Sequence, residues 1–331
     1  SPLLNTLYYP CYNILMNHNL FPTSHPENES TTSHPEGEQP TTDQPENNPT
    51  APQPETPEPE QPEAIKDLPT TSPNSTCAFY LRSIERAGRM GGVKNFLLDT
   101  ADRDFHDFQD PLDLDAFSDA YSEFIDPALT YEDKTALKNY TGYNYRLINS
   151  VARGQWNYDL LGPQTPEALQ AAHKDIEAIN QAIAATPPPE VDLLAHRGTN
   201  LDSFLGYDIH SLSDLKSLEG QFFLEEGFTS SSLSPDQSFA QKDLDDPLRR
   251  PCDIEITCRI PKESREVIGL LSDELSYNPE QYEVVISTGS LFYVSSAEVS
   301  DDAKSAQLEM TLIPRHLYDP AYTSEAPNAT E

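Results

Sequence analysis

Three short stretches of the chain place an arginine, a serine and a glutamate where they could act on a bound molecule. In Leu193-Leu-Ala-His-Arg197-Gly198 an apolar run ends in an arginine followed by glycine. Such an arginine is either a surface side chain at a strand end or an anion anchor, with glycine letting backbone approach a phosphate closely. In Gly227-Phe228-Thr229-Ser230-Ser231-Ser232-Leu233 a run of hydroxyls follows an apolar segment. It is either a polar turn or a device that sets one serine in a site while its neighbours tie down backbone. In Glu280-Gln281-Tyr282-Glu283-Val284-Val285-Ile286 strand alternation would turn Gln281 and Glu283 to one face and Val284 and Ile286 to the other. A glutamate at the mouth of a buried strand can stabilise a developing cation, and an amide beside it can orient an acceptor. The alternative for this stretch is a solvated edge.

Other chemistries lack their residues. There is no phosphate loop of the Walker type and no GxGxxG after a strand, so Gly88 to Gly92 reads as a turn or helix break. The eight histidines are scattered, and no cysteine pair has zinc spacing, so no metal site is expected. Cys252 and Cys258 fall on one expected strand and are too far apart to be bridged to each other. With Cys11 and Cys77 distant in sequence, all four are expected to be free thiols.

The elements that must carry the three stretches divide into helices first and strands second. Residues 78–98 have helical spacing, broken at Gly91-Gly92. Residues 129–153 form a longer helical region that Gly142 should divide into two helices meeting at a corner; Thr130 and Asp133 resemble a capping start. Thr165-Pro166 opens a helix whose Leu169, Ala172, Ile176, Ile179 and Ile183 make one apolar stripe, ended by Pro187-Pro188-Pro189. Strands are then expected at 191–196, 222–230, 254–260, 283–286, 291–294 and 308–313. This order indicates an α+β fold and not an alternating α/β one.

The chain of 331 residues has 55 Asp+Glu against 21 Lys+Arg, a formal charge of -34. Such a surface excludes a protein that coats nucleic acid through a basic face. No stretch reaches the roughly 20 apolar residues of a membrane-spanning helix. The hydrophobic fraction of 36% is low because of residues 23–75, which hold 12 of the 30 prolines and in which Lys66 is the only Lys or Arg. This segment reads as an acidic Pro/Glu/Thr-rich linker, partly polyproline II, that cannot bury enough surface to fold. Residues 1–22 form an apolar head, expected to be the end of an upstream region, since a chain beginning at Ser1 reads as a processed product or a piece of a longer protein. Residues 76–317 have the composition of one globular domain, and 318–331 form a loose tail.

Taken together, Arg197, a serine in 230–232 and Glu283 occur in the order Arg, Ser, Glu on three separate strands. In this the chain resembles the bacterial mono-ADP-ribosyltransferase toxins of the Arg-Ser-Glu class, which include Rho-inactivating clostridial exoenzymes and actin-modifying binary toxins. The likeness runs from about 76 to 315 and implies N-terminal helices packed on a two-sheet, mainly antiparallel β-core. It takes in the helical motif from Leu129 through Tyr140, Tyr145 and Asn149 to Arg153-Gly154, and also Arg197-Gly198, Gly227 to Leu233, Ile254 to Lys262, Gln281 to Val285 and Gly289 to Val294. Three departures stand out: Ser231 is the middle residue of the serine motif, His196 stands where the family usually has an aromatic, and Tyr277-Asn-Pro279-Glu280 replaces the usual Phe-Pro-Gly.

The resemblance implies cleavage of NAD at the nicotinamide–ribose bond and transfer of ADP-ribose to a host protein, with NAD as co-substrate and no metal. The loose oxocarbenium-like transition state is that of glycoside cleavage. In these terms Glu283 would bond the ribose and offset its positive charge, and Ser230 would orient Glu283. Arg197 would hold a phosphate, with Gly198 beside it, and Arg153 would be a second phosphate clamp. Tyr145 and Asn149, one helical turn apart, would line the NAD cleft, and Phe239 would cover the nicotinamide. Gln281 would face the acceptor: in this class a Gln there accompanies modification of Asn or Gln on small Rho-type GTPases, whereas a Glu accompanies arginine, as on actin. Glu280, next to Gln281, would blur that rule if the loop register shifted by one. An NAD glycohydrolase, an arginine- or actin-specific transferase and an inactive protein-binding module are the alternatives. Secretion, action in the host cytosol and a separate delivery component are further expectations.

Overall fold

The computed structural model describes residues 74–154, 164–204, 206–237 and 252–319. The apolar head, the linker up to Pro73 and the tail from Pro320 lie outside the described residues, as does Phe239. Asn74 caps α1 (Ser75–Arg86), its side chain accepting from Cys77 N. The chain then turns at Gly88, with φ at +70°, and forms α2 (Met90–Ala101). The break therefore falls at Gly88, and Gly91-Gly92 lie in the first turn of α2, where a helix tolerates them best. A helix not foreseen follows, α3 (Pro111–Ile125), opened by an Asp110 cap and proline in the first turn.

The expected pair of helices at 129–153 is present. Thr130 and Asp133 make a reciprocal capping box for α4 (Tyr131–Asn139). A π-turn over Tyr140–Asn144 leads into α5 (Tyr145–Ala152), and Gly142 at φ -91°, ψ -140° makes the corner. A Cβ on Gly142 would lie 3.2 Å from the Tyr277 ring, so the glycine also lets the later loop pack against the corner. Thr165 caps α6 (Pro166–Ala185), of which Ala172, Ile179 and Ile183 are buried and Leu169 and Ile176 partly so.

Eight strands follow: β1 (Leu193–Thr199), β2 (Phe222–Glu225), β3 (Thr229–Ser232), β4 (Ile254–Ile260), β5 (Val267–Leu270), β6 (Glu283–Ile286), β7 (Ser290–Val299) and β8 (Ala306–Leu312). They form a single sheet in the order β2-β7-β8-β4-β1-β3-β6-β5. Pairing is antiparallel except between β4 and β8. This corrects the expectation of two sheets. The physical reason is a narrow seam: β1 runs along all of β4 from Leu193↔Ile260 to Thr199↔Ile254, but meets β3 only at His196↔Ser232. That one bridge makes two half-sheets continuous.

Each half has its own apolar packing. The β2-β7-β8-β4-β1 half buries Phe222, Phe292, Ile256 and Met310 with α1 and α2. The β3-β6-β5 half sets Val285, Ile268 and Leu270 against Leu137, Ile148, Ile179 and Ile183 of α4, α5 and α6. Burying one such side chain stabilises by about 1.5–3 kcal/mol, so this second cluster is what holds the α4–α5 corner over β3 and β6. The helices carrying Tyr145, Asn149 and Arg153 are thereby fixed over the strands carrying Ser230 and Glu283.

Two local readings change. The run 222–230 is two strands, because Glu226-Gly227-Phe228 breaks the ladder between β2 and β3. Cys252 precedes β4 and is disulfide-bonded, which corrects the expectation of four free thiols; Cys258 is a free, buried thiol.

Candidate active site

Ser230, Ser231 and Ser232 pair with Val285, Val284 and Glu283 in an antiparallel ladder. Directly opposed residues share a face, so Ser230, Ser232 and Glu283 lie on the side of α4–α6, and Ser231 on the other. Glu283 is buried, 8% exposed. Burial pushes its carboxyl up to about 7 from an ordinary 4.5, against the pull of a hydrogen bond from Ser230 and of the Arg197 charge.

Ser230 is itself held. Its hydroxyl is 2.7 Å from the phenol oxygen of Tyr140, and that oxygen accepts from Asn149 Nδ2 at 3.1 Å. Asn149 Oδ1 in turn accepts from Phe228 N at 2.7 Å. Asn149 thus ties α5 to the turn before β3, and Tyr140 bridges helix to serine. Burial pushes the Tyr140 phenol up to about 12, so it remains a protonated hydrogen-bonding group. Tyr140 lay inside the helical motif but had no assigned role: alone in sequence it is one more aromatic at helical spacing. Only the π-turn, which ends α4 and begins at Tyr140, turns its hydroxyl to Ser230.

Arg197 lies on β1 one residue past the seam. His196 stands in the row of Ser232 and Glu283, so parity turns Arg197 to the other face. There it lines an interior cavity with Glu225, Thr229, Ser231, Phe223 and Ile256. Its buried Nε has no hydrogen-bond partner, nor has Ser231 Oγ. The Arg197 charge still acts on Glu283, Tyr140 and Glu225. A buried guanidinium nitrogen with nothing to donate to fits a site that receives an anionic group. Gly198 follows, buried and paired to Glu255 of β4. His196, the departure from an aromatic, has its Nε2 2.9 Å from Asp107 Oδ1 and so ties β1 to the segment before α3.

Arg153, at the end of α5, meets a partner the sequence did not suggest. Its Nε and Nη2 donate to Glu225 Oε1 and Oε2 at 2.8 and 3.0 Å. Tyr145 is half-buried on α5 and its phenol accepts from Arg146 Nε at 3.0 Å. Burial pushes the Tyr145 phenol up, and the Glu283 charge adds to that push.

Gln281 is placed differently from expectation. It closes a 3₁₀ turn, Pro279–Gln281, and Tyr282 is left-handed at φ +47°. Strand alternation therefore does not link Gln281 to Glu283, because β6 begins only at Glu283. What fixes Gln281 is its carbonyl, which accepts from Ser232 Oγ at 2.7 Å. The loop before it is clipped to α4 by a Lys134–Glu274 ion pair and by Lys138 over the Tyr277 ring at 5.1 Å, and to the π-turn by Tyr277 N donating to Thr141 Oγ1. Tyr277 remains 54% exposed. Among the described residues no group of three or more His, Cys, Asp or Glu could hold a metal ion, and no helix is long and apolar enough to cross a membrane.

The family described as ADP-ribosyltransferase exoenzyme matches residues 115–314, more than half of the chain. A search of curated proteins finds no match. Among solved structures, the chain is similar to an ADP-ribosyltransferase from Clostridium botulinum, at 18% identity and a TM-score of 0.47 over 63% of this chain and 99% of that one. It is similar to an ADP-ribosyltransferase toxin from Paenibacillus larvae, at 21% identity and a TM-score of 0.46 over 62% and 98%. It is also similar to a protein from S. aureus whose crystal structure was determined with NAD, at 19% identity and a TM-score of 0.45 over 64% and 100%.

Proposed function

Since the chain belongs to the ADP-ribosyltransferase exoenzyme family of NAD-dependent secreted toxins, we propose that it cleaves NAD at the nicotinamide–ribose bond and transfers ADP-ribose to a side-chain amide of a small Rho-type GTPase in the host cytosol. The observation that carries the reading is the buried Glu283 carboxylate, on one face with Ser230, with the Arg197 charge acting on it from the other face of the sheet. When bound, NAD supplies the nicotinamide leaving group and the ribose carbon that accepts the nucleophile. Glu283, ionised, bonds a ribose hydroxyl and offsets the positive charge that develops on the sugar. Ser230, fixed by Tyr140, orients that carboxylate. Arg197 and Arg153 hold the diphosphate, and Asn149 and Tyr145 line the wall of the cleft along α5.

Gln281 directs the choice of acceptor. A guanidinium needs a carboxylate to draw off its proton, whereas an amide acceptor is oriented by an amide. Gln281 is followed by the left-handed Tyr282, so its side chain is set by the turn and not by the strand, and the half-exposed Tyr277 on the same loop offers an apolar contact to the acceptor protein. The test is transfer of labelled ADP-ribose from NAD into a host-cell lysate, with the modified residue identified by mass spectrometry. A labelled band of small-GTPase size modified on Asn or Gln supports the assignment. Label on actin or on arginine overturns the acceptor, and NAD consumption with no labelled protein marks a glycohydrolase.

A further inference from the structure

We propose that Glu225 is a positioning residue for the transfer reaction: one buried carboxylate sets both the Arg153 clamp and the start of the strand that carries Ser230. The inference rests on the function proposed above. Glu225 ends β2, with only 6% of its side chain exposed. Its Oε1 accepts from Arg153 Nε at 2.8 Å and from Gly227 N at 2.8 Å, and its Oε2 accepts from Arg153 Nη2 at 3.0 Å. A paired fork of this kind fixes the plane of a guanidinium, which leaves the remaining Arg153 nitrogen with a defined direction for a ligand.

The same carboxylate fixes the turn. Gly227 approaches Arg153 and Asn149 so closely that a Cβ would lie 2.9 Å from Arg153 Nε and 2.9 Å from Asn149 Oδ1. The next residue, Phe228, donates its N–H to that Asn149 oxygen. Glu225, Arg153, Gly227 and Asn149 therefore form one packed unit joining the end of α5 to the β2–β3 turn. From Asn149 the bonds continue through Tyr140 to Ser230. Glu225 also shares a cavity with Arg197, the other cation of the site. A lone buried carboxylate would be costly, so its presence between two arginines and a backbone N–H is explained by what it holds in place.

The test uses the whole chain with Glu225→Gln, Arg153→Lys and the double substitution, each checked for a cooperative thermal transition. NAD affinity is measured by calorimetry and NAD turnover by nicotinamide release. Glu225→Gln should raise both Kd and KM for NAD on the order of ten-fold and also lower kcat, because it frees the clamp and the turn together. Arg153→Lys should raise Kd and KM alone. The double variant should be no worse in Kd than the worse single one, since both remove the same fork. Glu225→Gln with Kd and kcat both unchanged, or Kd losses that simply add in the double variant, would overturn the inference. So would a loss of kcat alone, because that is what a merely structural role predicts. A wild-type chain that binds NAD without turning it over sinks the transferase reading instead, and the affinity cycle then still decides the role of Glu225 toward NAD.

Discussion

The hydroxyls of Tyr140 and Ser230, ninety residues apart in the chain, lie 2.7 Å from each other in the protein interior. This contact joins the corner between α4 and α5 to the strand that faces Glu283. Tyr140→Phe would keep the packing and leave Ser230 Oγ and Asn149 Nδ2 short of a partner. The expected cost is about 1–3 kcal/mol in stability, since buried polar groups lose a hydrogen bond. NAD turnover should fall as well, with the loss in kcat, because the ribose-facing carboxylate loses its orientation. Thermal unfolding and nicotinamide release measured on the same samples check both parts; unchanged kcat would show that Tyr140 is only core.

The pH dependence follows from Glu283, raised to about 7 by burial. The catalytic form is the ionised one, so kcat/KM for NAD should rise with pH through about 7 and level above it. The stability contribution runs the other way. The folded carboxyl binds its proton more tightly than the unfolded one, so its favourable contribution is complete below pH 4.5 and is lost as pH rises through about 7. Glu266, buried at the far end of the β5–β6 pair beside Arg315 and also raised to about 7 by burial, adds to the stability slope without touching the site. Glu266→Gln should flatten the unfolding profile between pH 4.5 and 7 while leaving the rise in kcat/KM in place. A change in that rise would mean that the activity limb is not that of Glu283.

Gly227 has no room for a side chain. Gly227→Ala would press a methyl group against Arg153 and Asn149, and the expected destabilisation is about 1–3 kcal/mol from overpacking. NAD affinity should drop with it. By contrast Gly88→Ala, where a Cβ meets nothing within 4 Å, should act only through its backbone strain at φ +70° and leave NAD affinity unchanged. Calorimetric titration of the two variants separates the cases.

The acceptor is addressed by Gln281→Glu. If Gln281 orients an amide acceptor, the substitution should lower labelling of the native target while sparing NAD cleavage. Introducing a carboxylate beside the acceptor site should also raise labelling of arginine or a small guanidino compound. Equal labelling of the same target by both forms would remove Gln281 from acceptor choice.

How far the sequence could be read depended on whether a residue's partner is local or remote. Strand alternation was enough to set Val284 and Ile286 into the core on the face away from Glu283, and the apolar stripe of α6 was legible because Ile179 and Ile183 are buried by the same spacing that makes them visible. Helix α3 was missed because Leu114, Ser118 and Ile125 are its buried positions, and the acidic residues Asp113, Asp115, Asp119 and Glu123 mask so sparse a stripe. Strand β5 was missed because four residues with Gly269 among them read as a loop. In the fold that glycine is required, since a Cβ would sit 2.9 Å from Tyr121 Cε1. The single sheet was not legible either, because its two halves are joined by the one bridge at His196. The Arg153–Glu225 fork spans 72 residues and lies inside what reads as one continuous strand. Gln281 was set on the wrong element because nothing in its neighbours signals a left-handed Tyr282.

The central claim is that Glu283, buried and served by Ser230 and Arg197, stabilises the charge that develops as NAD is cleaved. The direct measurement is nicotinamide release from NAD by the wild-type chain and by Glu283→Gln, which has the same shape and no charge. The prediction is a fall in kcat on the order of a hundred-fold or more with the KM for NAD little changed, as for loss of a group that acts in the transition state. Comparable kcat in a folded Glu283→Gln variant would contradict the assignment.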